Sequence, residues 1–169
     1  MKRVSQKGRV NEMEIKIRHA KESDLENIVK MNKSLFEEDS EFDKTLNMDW
    51  PDSKGKDYFL KVIERPEGCM LIAEIEGKVI GYLEGRVRNT FSYRTKVKMA
   101  ELENMLVKKP FRNRGVGKSL VREFVIWCKS KSVRRIAVTA SEKNVSAIKF
   151  YESVGFFKYS LMLEMEMVE

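Results

Sequence analysis

The stretch from Met105 to Leu120 constrains the fold more than any other. It opens with an apolar, β-forming run, Met105-Leu106-Val107, which Pro110 stops. After Gly117 the apolar positions Leu120, Val121, Phe124, Val125 and Cys128 recur at helical spacing. The pattern is strand, short basic loop, helix start. Such a junction aims backbone N–H groups at one point, and the helix dipole adds partial positive charge there. Arg112, Arg114 and Lys118 add full charges. The stretch reads as a seat for phosphate.

Three loop motifs compete for it. Gly117-Lys118-Ser119 imitates the end of a P-loop, G-x-x-x-x-G-K-S/T, but that pattern needs glycine where Arg112 stands. No later apolar strand ends in an aspartate suited to magnesium. A dinucleotide loop, G-x-G-x-x-G, fails because Leu120 occupies its third glycine position. The third pattern fits. Arg112-Asn113-Arg114-Gly115-Val116-Gly117-Lys118 resembles the Q/R-x-x-G-x-G/A loop of the GNAT (Gcn5-related N-acetyltransferase) superfamily. A second stretch, Asn144-Val145-Ser146-Ala147-Ile148-Lys149-Phe150-Tyr151-Glu152-Ser153-Val154-Gly155-Phe156, resembles that family's N-x-x-A-x-x-F/L-Y-x-x-x-G-F segment at every marked position. The resemblance runs from residue 14 to residue 167 and is least specific in the first third of the chain.

The resemblance implies acetyl-coenzyme A as cosubstrate and no metal. It implies that the loop amides hold the pyrophosphate, with Arg114 and Lys118 as charged neighbours. The strand end Met105-Leu106-Val107 would pair with the pantetheine arm like an added strand. Asn144 would contact the pantetheine, cap its helix, or do both. Tyr151 matches the motif tyrosine that hydrogen-bonds the sulfur. Glu101 falls, counting back from Arg112, where Gcn5-type relatives keep a catalytic glutamate.

Acyl transfer from a thioester to an amine makes demands that can be set against these residues. The amine must be neutral, although a lysine-like amine has a pKa of about 10.4. Glu101 and Glu103, two apart on one strand face, are the candidates for the base. A carboxylate of ordinary pKa, about 4.3, must be raised or must work through water. Backbone N–H groups near Met105, Leu106 and Val107 are the natural oxyanion donors, and Tyr151 is the donor for the departing thiolate. Cys128 sits among apolar helix positions, a poor place for a covalent carrier, so direct attack by the amine is expected.

The remaining sequence bounds the setting. A chain of 169 residues suits one domain: a tail at residues 1–12 and a GNAT acetyltransferase domain at 13–169. No run reaches membrane-span length and no apolar signal opens the chain, so a cytoplasmic protein without a membrane partner is expected. Cys69 and Cys128 read as buried free thiols, and the single histidine, His19, as structural or surface. The net charge of +7 is spread along the chain without an RNA-binding aromatic motif, so nucleic acid is not an expected partner. Against this basic background residues 37–52 are acidic (Glu37, Glu38, Asp39, Glu41, Asp43, Asp49, Asp52), with Phe42, Leu46, Met48 and Trp50 between them. This reads equally as a wall drawing a cationic amine or as a solvated surface.

In chain order the pattern predicts a strand at 14–20 and a helix from Ser23 to about Glu37, opened by a Ser23–Glu26 capping box. A helix near 53–64 and a hairpin of 69–76 and 78–89 turning at Glu76-Gly77 follow. Residues 89–96 read as a loop in which Phe91, Tyr93 and Arg94 could line a substrate mouth. Beyond it come a strand at 97–107, a helix at 114–130, a central strand at 134–140, a short helix at 145–153 and a last strand at 156–167. Broken alternation near Glu103-Asn104 suggests a β-bulge. The fold class is α/β (α+β): a mixed, mostly antiparallel sheet of six to seven strands with about four helices. The last strand could also pair across a homodimer. The commitment is an acetyl-CoA-dependent N-acetyltransferase acting on a primary amine. Its rivals are a non-catalytic coenzyme A- or nucleic-acid-binding module on the same fold and a P-loop-like nucleotide-binding protein.

Overall fold

The sheet grows from the hairpin. Glu76 and Gly77 both take positive φ, 49° and 76°, which gives a two-residue turn the twist that flanking strands need. The strands it joins are β2 (Gly68–Ile75) and β3 (Lys78–Arg88). The computed structural model describes residues 14–88, 97–165 and 167. The predicted tail and the loop with Phe91, Tyr93 and Arg94 lie outside the described residues. By internal packing the chain divides into two units, Met1–Thr139 and Ala140–Glu169.

In the first unit β1 (Lys16–His19), β4 (Met99–Val107) and β5 (Arg135–Val138) complete a five-stranded sheet ordered β1-β2-β3-β4-β5. The first four strands are antiparallel neighbours, and β5 runs parallel to β4. Helices α1 (Leu25–Asp39) and α2 (Lys56–Glu64) cover one face. Leu25, Ile28 and Met31 of α1 and Phe59 and Val62 of α2 pack with Met70, Ile72, Tyr82 and Leu106. Each such side chain, fully buried, contributes about 1.5–3 kcal/mol. Helix α3 (Val116–Ser130) buries Val116, Leu120, Val121, Phe124 and Cys128. It covers the other face so closely that a Cβ at Gly85 would lie 2.5 Å from Phe124 Cζ.

The suggested bulge is present and decides which side chains share a face. Gly85 opposes Leu102 while Glu84 opposes Asn104, leaving Glu103 as the extra residue. Because Gly85 faces α3, Leu102 does too. The bulge then turns Asn104 and Leu106 toward α1 and α2, beside Glu101 and Glu103. A second consequence concerns the edge. The β4–β5 ladder runs from Met99↔Arg135 to Leu102↔Val138 and stops. From Glu103 to Val107, β4 keeps β3 as neighbour and has no strand on its other side among the described residues.

In the second unit α4 (Val145–Ser153) follows Asn144, whose Oδ1 accepts the Ala147 N–H at 3.0 Å, the cap expected of asparagine. Gly155, at φ 103°, closes the helix. Tyr151 lies between the rings of Phe150 and Phe156, at 5.3 and 5.6 Å.

Four expectations need correcting. Five strands are present among the described residues, not six or seven. The predicted last strand does not form: residues 156–165 are in no ladder, and Phe157, Leu161, Leu163 and Met165 are exposed. Alternation is a local pattern, whereas a strand exists only with a hydrogen-bonding neighbour. For the same reason β5 is an edge strand, half-buried, rather than central. The cap of α1 is also displaced. A 3-10 turn, Glu22–Asp24, precedes the helix, and Asp24 Oδ2 accepts the Lys21 N–H at 2.8 Å. Asp24 can reach that donor because Arg18 Nη1 and Nη2 hold its carboxylate at 2.7 and 2.8 Å. Among the described residues no helix is long and apolar enough to cross a membrane, and no group of acids, histidines or cysteines could hold a metal.

Candidate active site

The phosphate-seat stretch folds as read. Val107 ends β4, a single 3-10 turn spans Lys109–Phe111, and Gly115 enters α3 at φ 81°. Nothing lies within 4 Å of a Cβ built on Gly115, so its left-handed backbone, not crowding, calls for glycine. Asn113, at φ 61°, makes a second left-handed step. No side chain caps α3. The Ser119 N–H reaches Gly115 O at 2.9 Å, while those of Val116, Gly117 and Lys118, in the first turn, have no acceptor within the helix. Asn113, Arg114 and Lys118 are exposed around this opening, and the buried Val116 anchors it to the core.

Arg112 is engaged differently from its neighbours. Its Nη2 donates to both carboxylate oxygens of Glu38, at 2.8 and 2.9 Å, and its Nε donates to Val107 O at 2.7 Å. The guanidinium therefore braces the loop against the last turn of α1 and leaves the backbone to meet an anion. Lys109 Nζ is 3.8 Å from Glu38, and Lys108 Nζ donates to Val79 O at 2.6 Å. Beside this brace lies a cavity of about 560 Å³, lined among others by Glu37, Glu38, Glu41, Lys108, Lys109 and Arg112. Only the start of the acidic segment faces it. Asp52 pairs with Lys33. Trp50 stacks on Phe36 at 5.8 Å and meets Phe59 edge-on at 6.1 Å, so it belongs to the core.

The bulge gathers a polar cluster between β3, β4 and α2. Glu84 is fully buried. Its Oε2 accepts from Asn104 Nδ2 at 2.7 Å, and its Oε1 lies 3.3 Å from the Tyr58 hydroxyl. That hydroxyl donates to Glu103 Oε2 at 2.7 Å. Glu103 Oε1 accepts from Arg86 Nε and Arg88 Nη2, both at 2.7 Å, and the Tyr58 hydroxyl lies between the two carboxyls. Glu101 Oε2 pairs with Arg88 Nε at 2.5 Å. Burial, then the Glu103 charge, push the Glu84 carboxyl up to about 8 against the weaker pull of Asn104 and Tyr58. Burial also works against the Glu103 anion. The hydrogen bonds from Arg88, Tyr58 and Glu84 and the charge of Arg86 outweigh it and hold Glu103 below the ordinary carboxylate value. Of the two carboxyls, Glu84 is the one that holds a proton more readily.

Of the predicted site residues, Glu101, Glu103, Met105, Leu106, Val107, Arg112, Asn113, Arg114, Gly115, Val116, Gly117 and Lys118 share the first unit along one strand–loop–helix path, while Asn144 and Tyr151 belong to the second. Sequence reasoning missed Glu84 and Tyr58, and it placed Glu38 in the acidic segment without its contact to Arg112. A lone carboxylate within the apolar strand Val79-Ile80-Gly81-Tyr82-Leu83-Glu84 was the available signal for the first.

A family model described as Acetyltransferase (GNAT) family matches residues 32–156. The chain belongs to the GNAT family. Among curated GNAT relatives, an uncharacterized N-acetyltransferase of Methanocaldococcus jannaschii is 29% identical over 99 residues. That match covers 59% of this chain and 43% of the relative, so the chain spans less than half of that protein. An N-alpha-acetyltransferase of Sulfurisphaera tokodaii is 24% identical, covering 85% of this chain and 80% of its own length. The L-amino acid N-acetyltransferase AaaT of Escherichia coli is 29% identical, at 85% and 83%. Two solved structures share the fold. A Bacillus halodurans protein has a TM-score of 0.83 at 18% identity, covering 90% of this chain and 99% of that one. Aminoglycoside N-acetyltransferase AAC(6')-Iy in complex with CoA has a TM-score of 0.71 at 20% identity, with the same coverage.

The residues present fit the coenzyme that the GNAT family implies. An uncapped helix start behind a left-handed glycine suits a diphosphate, and the β4 edge that has no strand beside it among the described residues suits an extended amide-bearing arm.

Proposed function

We propose that this chain transfers the acetyl group of acetyl-CoA to a cationic primary amine by direct attack of the amine. One observation carries the reading: the edge of β4 freed beyond Leu102 is joined, by one 3-10 turn and the Gly115 loop, to the uncapped start of α3. When bound, acetyl-CoA supplies an activated acyl carbon on a thioester. The backbone N–H groups around Met105, Leu106 and Val107 orient the arm and face the acyl oxygen, and the loop from Arg112 to Lys118 holds the diphosphate. Glu103, with Glu101 beside it, takes the proton that the amine must lose. Tyr151, by its motif position, donates a hydrogen bond to the departing sulfur, and Asn144 serves the pantetheine. A covalent acyl-cysteine is disfavoured, since burial pushes the Cys128 thiol up to about 12.

The cationic acceptor is supported by Glu37 and Glu41, the acids at the cavity beside the loop that Arg112 does not hold. It is supported also by the aminoglycoside enzyme among proteins of this fold. The test is a thermal shift of the full chain with acetyl-CoA and with ATP, followed by thiol release across a panel of aminoglycosides, polyamines, amino acids and peptides. Stabilisation by acetyl-CoA alone and turnover of the cationic amines are expected. Stabilisation by ATP, or no thiol release with any amine, would defeat the reading.

A further inference from the structure

Glu84 is a side chain whose placement neither packing nor the loop explains. It is a carboxylate with no exposed surface, on a central strand, and no cation hydrogen-bonds it among the described residues. Carboxylates in such positions are costly unless protonated or put to use.

Its surroundings form a proton-holding pair. From β4, Asn104 donates to it and the Glu103 charge acts on it; from α2, the Tyr58 hydroxyl bridges the two carboxyls. Arg86 and Arg88 on β3 reach Glu103 Oε1 only, and Glu101 pairs with Arg88. Cys69 on β2 and Tyr82 on β3 feel the Glu84 charge, and both are held neutral by burial. Positive charge thus converges on Glu103 and stops short of Glu84. Held by three donors, Tyr58, Arg86 and Arg88, Glu103 would by itself be a weak base. A neighbouring carboxylate that repels its charge corrects that.

Resting on the acetyltransferase reading above, we propose that Glu84 is a positioning residue for catalysis: with Glu103 it forms a buried carboxylate pair that receives the acceptor's ammonium proton. In the step, an N–H bond of the ammonium breaks and its electron pair stays on nitrogen. An O–H bond forms on Glu103, the pair's entry point because its side chain keeps 11% exposure. The step runs in molecules whose pair has already lost its resting proton; the new proton is then shared between Glu103 and Glu84, and the pair goes from two negative charges to one. The value of about 8 reached by Glu84 suits this task. It lies between an ordinary carboxylate and an amine, where a general base works best at neutral pH.

The test uses the full chain labelled with carboxyl-¹³C glutamate, together with thiol release using the fastest of kanamycin, spermidine and an alanyl peptide. In the parent, a glutamate resonance should titrate near pH 8 and kcat/KM should rise through the same pH. In Glu84→Gln both features should vanish, and kcat should fall roughly a hundredfold, the usual scale of a general base, while KM for acetyl-CoA changes little. Tyr58→Phe removes a donor that lowers both groups, so its limb should move to higher pH with the fold intact. An unchanged limb in either variant, turnover by Glu84→Gln within twofold of the parent, or a pair that loses its last proton below pH 6 would overturn the proposal. Those results leave the acetyltransferase reading standing. Absence of turnover with every amine defeats that reading and the catalytic role together, while the resonance then decides the shared proton on its own.

Discussion

Glu84→Gln should make the protein more stable in alkaline buffer even as it damages catalysis. The sign follows from where the proton sits. In the unfolded chain a glutamate ionises near 4.5; in the folded chain Glu84 holds its proton to about 8. Between those values the folded state binds more protons than the unfolded one, so stability falls as pH rises. The gap of about 3.5 between the two values, at about 1.4 kcal/mol each, gives roughly 5 kcal/mol as a ceiling on the loss by pH 9. Glutamine mimics the protonated acid. Its amide can donate toward Glu103 and its oxygen can accept from Asn104, and it has no charge to desolvate. Urea unfolding at pH 5 should place variant and parent within about 1 kcal/mol, the scale of one hydrogen bond. At pH 9 the variant should be ahead by about 2–5 kcal/mol, the ceiling reduced by local relaxation. Parallel stability curves across that range would refute the reasoning. They would mean that Glu84 is already ionised at neutral pH or is reached by solvent.

Other consequences are more local. Gly85→Ala should cost about 1–3 kcal/mol or more in urea unfolding, because its Cβ would lie 2.5 Å from Phe124 Cζ and 2.6 Å from Glu101 O. Arg112→Ala loses a half-exposed bidentate pair worth about 1 kcal/mol at most, so Tm should fall about 2–4 °C, a difference that shrinks in high salt. Gly117→Glu should abolish the thermal shift with acetyl-CoA while leaving Tm without ligand near the parent's, since it sets a carboxylate where a diphosphate is expected. Cys69 and Cys128, at 1% and 2% exposure, should resist iodoacetamide at pH 7.5 and react once unfolded in urea.

Local patterns were the legible part of this chain. The hairpin at Glu76-Gly77, the strand–loop–helix around Gly115, the Asn144 cap and the bulge at Glu103 each rest on a few neighbouring residues whose backbone preferences agree. Where a feature depends on a distant neighbour, the reading failed or fell silent. The alternation of Leu161, Leu163 and Met165 looks like a strand, but no ladder forms on it. Trp50 looked like part of an acidic wall, and its partners Phe36 and Phe59 draw it into the core. Arg112 was read from its charge within the loop, and its contact with Glu38, 74 residues away, was not legible there.

The candidate base shows the division most clearly. That Glu101 and Glu103 share a strand face follows from the two-residue period of any strand. That Glu103 gains Glu84 as its partner follows from one extra residue in β4 set against β3, with Tyr58 lowered onto both from α2. Sequence alone determined the family, the loop and the order of elements as far as α4, because these are written in short-range spacing. Tertiary structure decided which carboxyl keeps its proton, because a pKa depends on burial and on charges that only folding brings together.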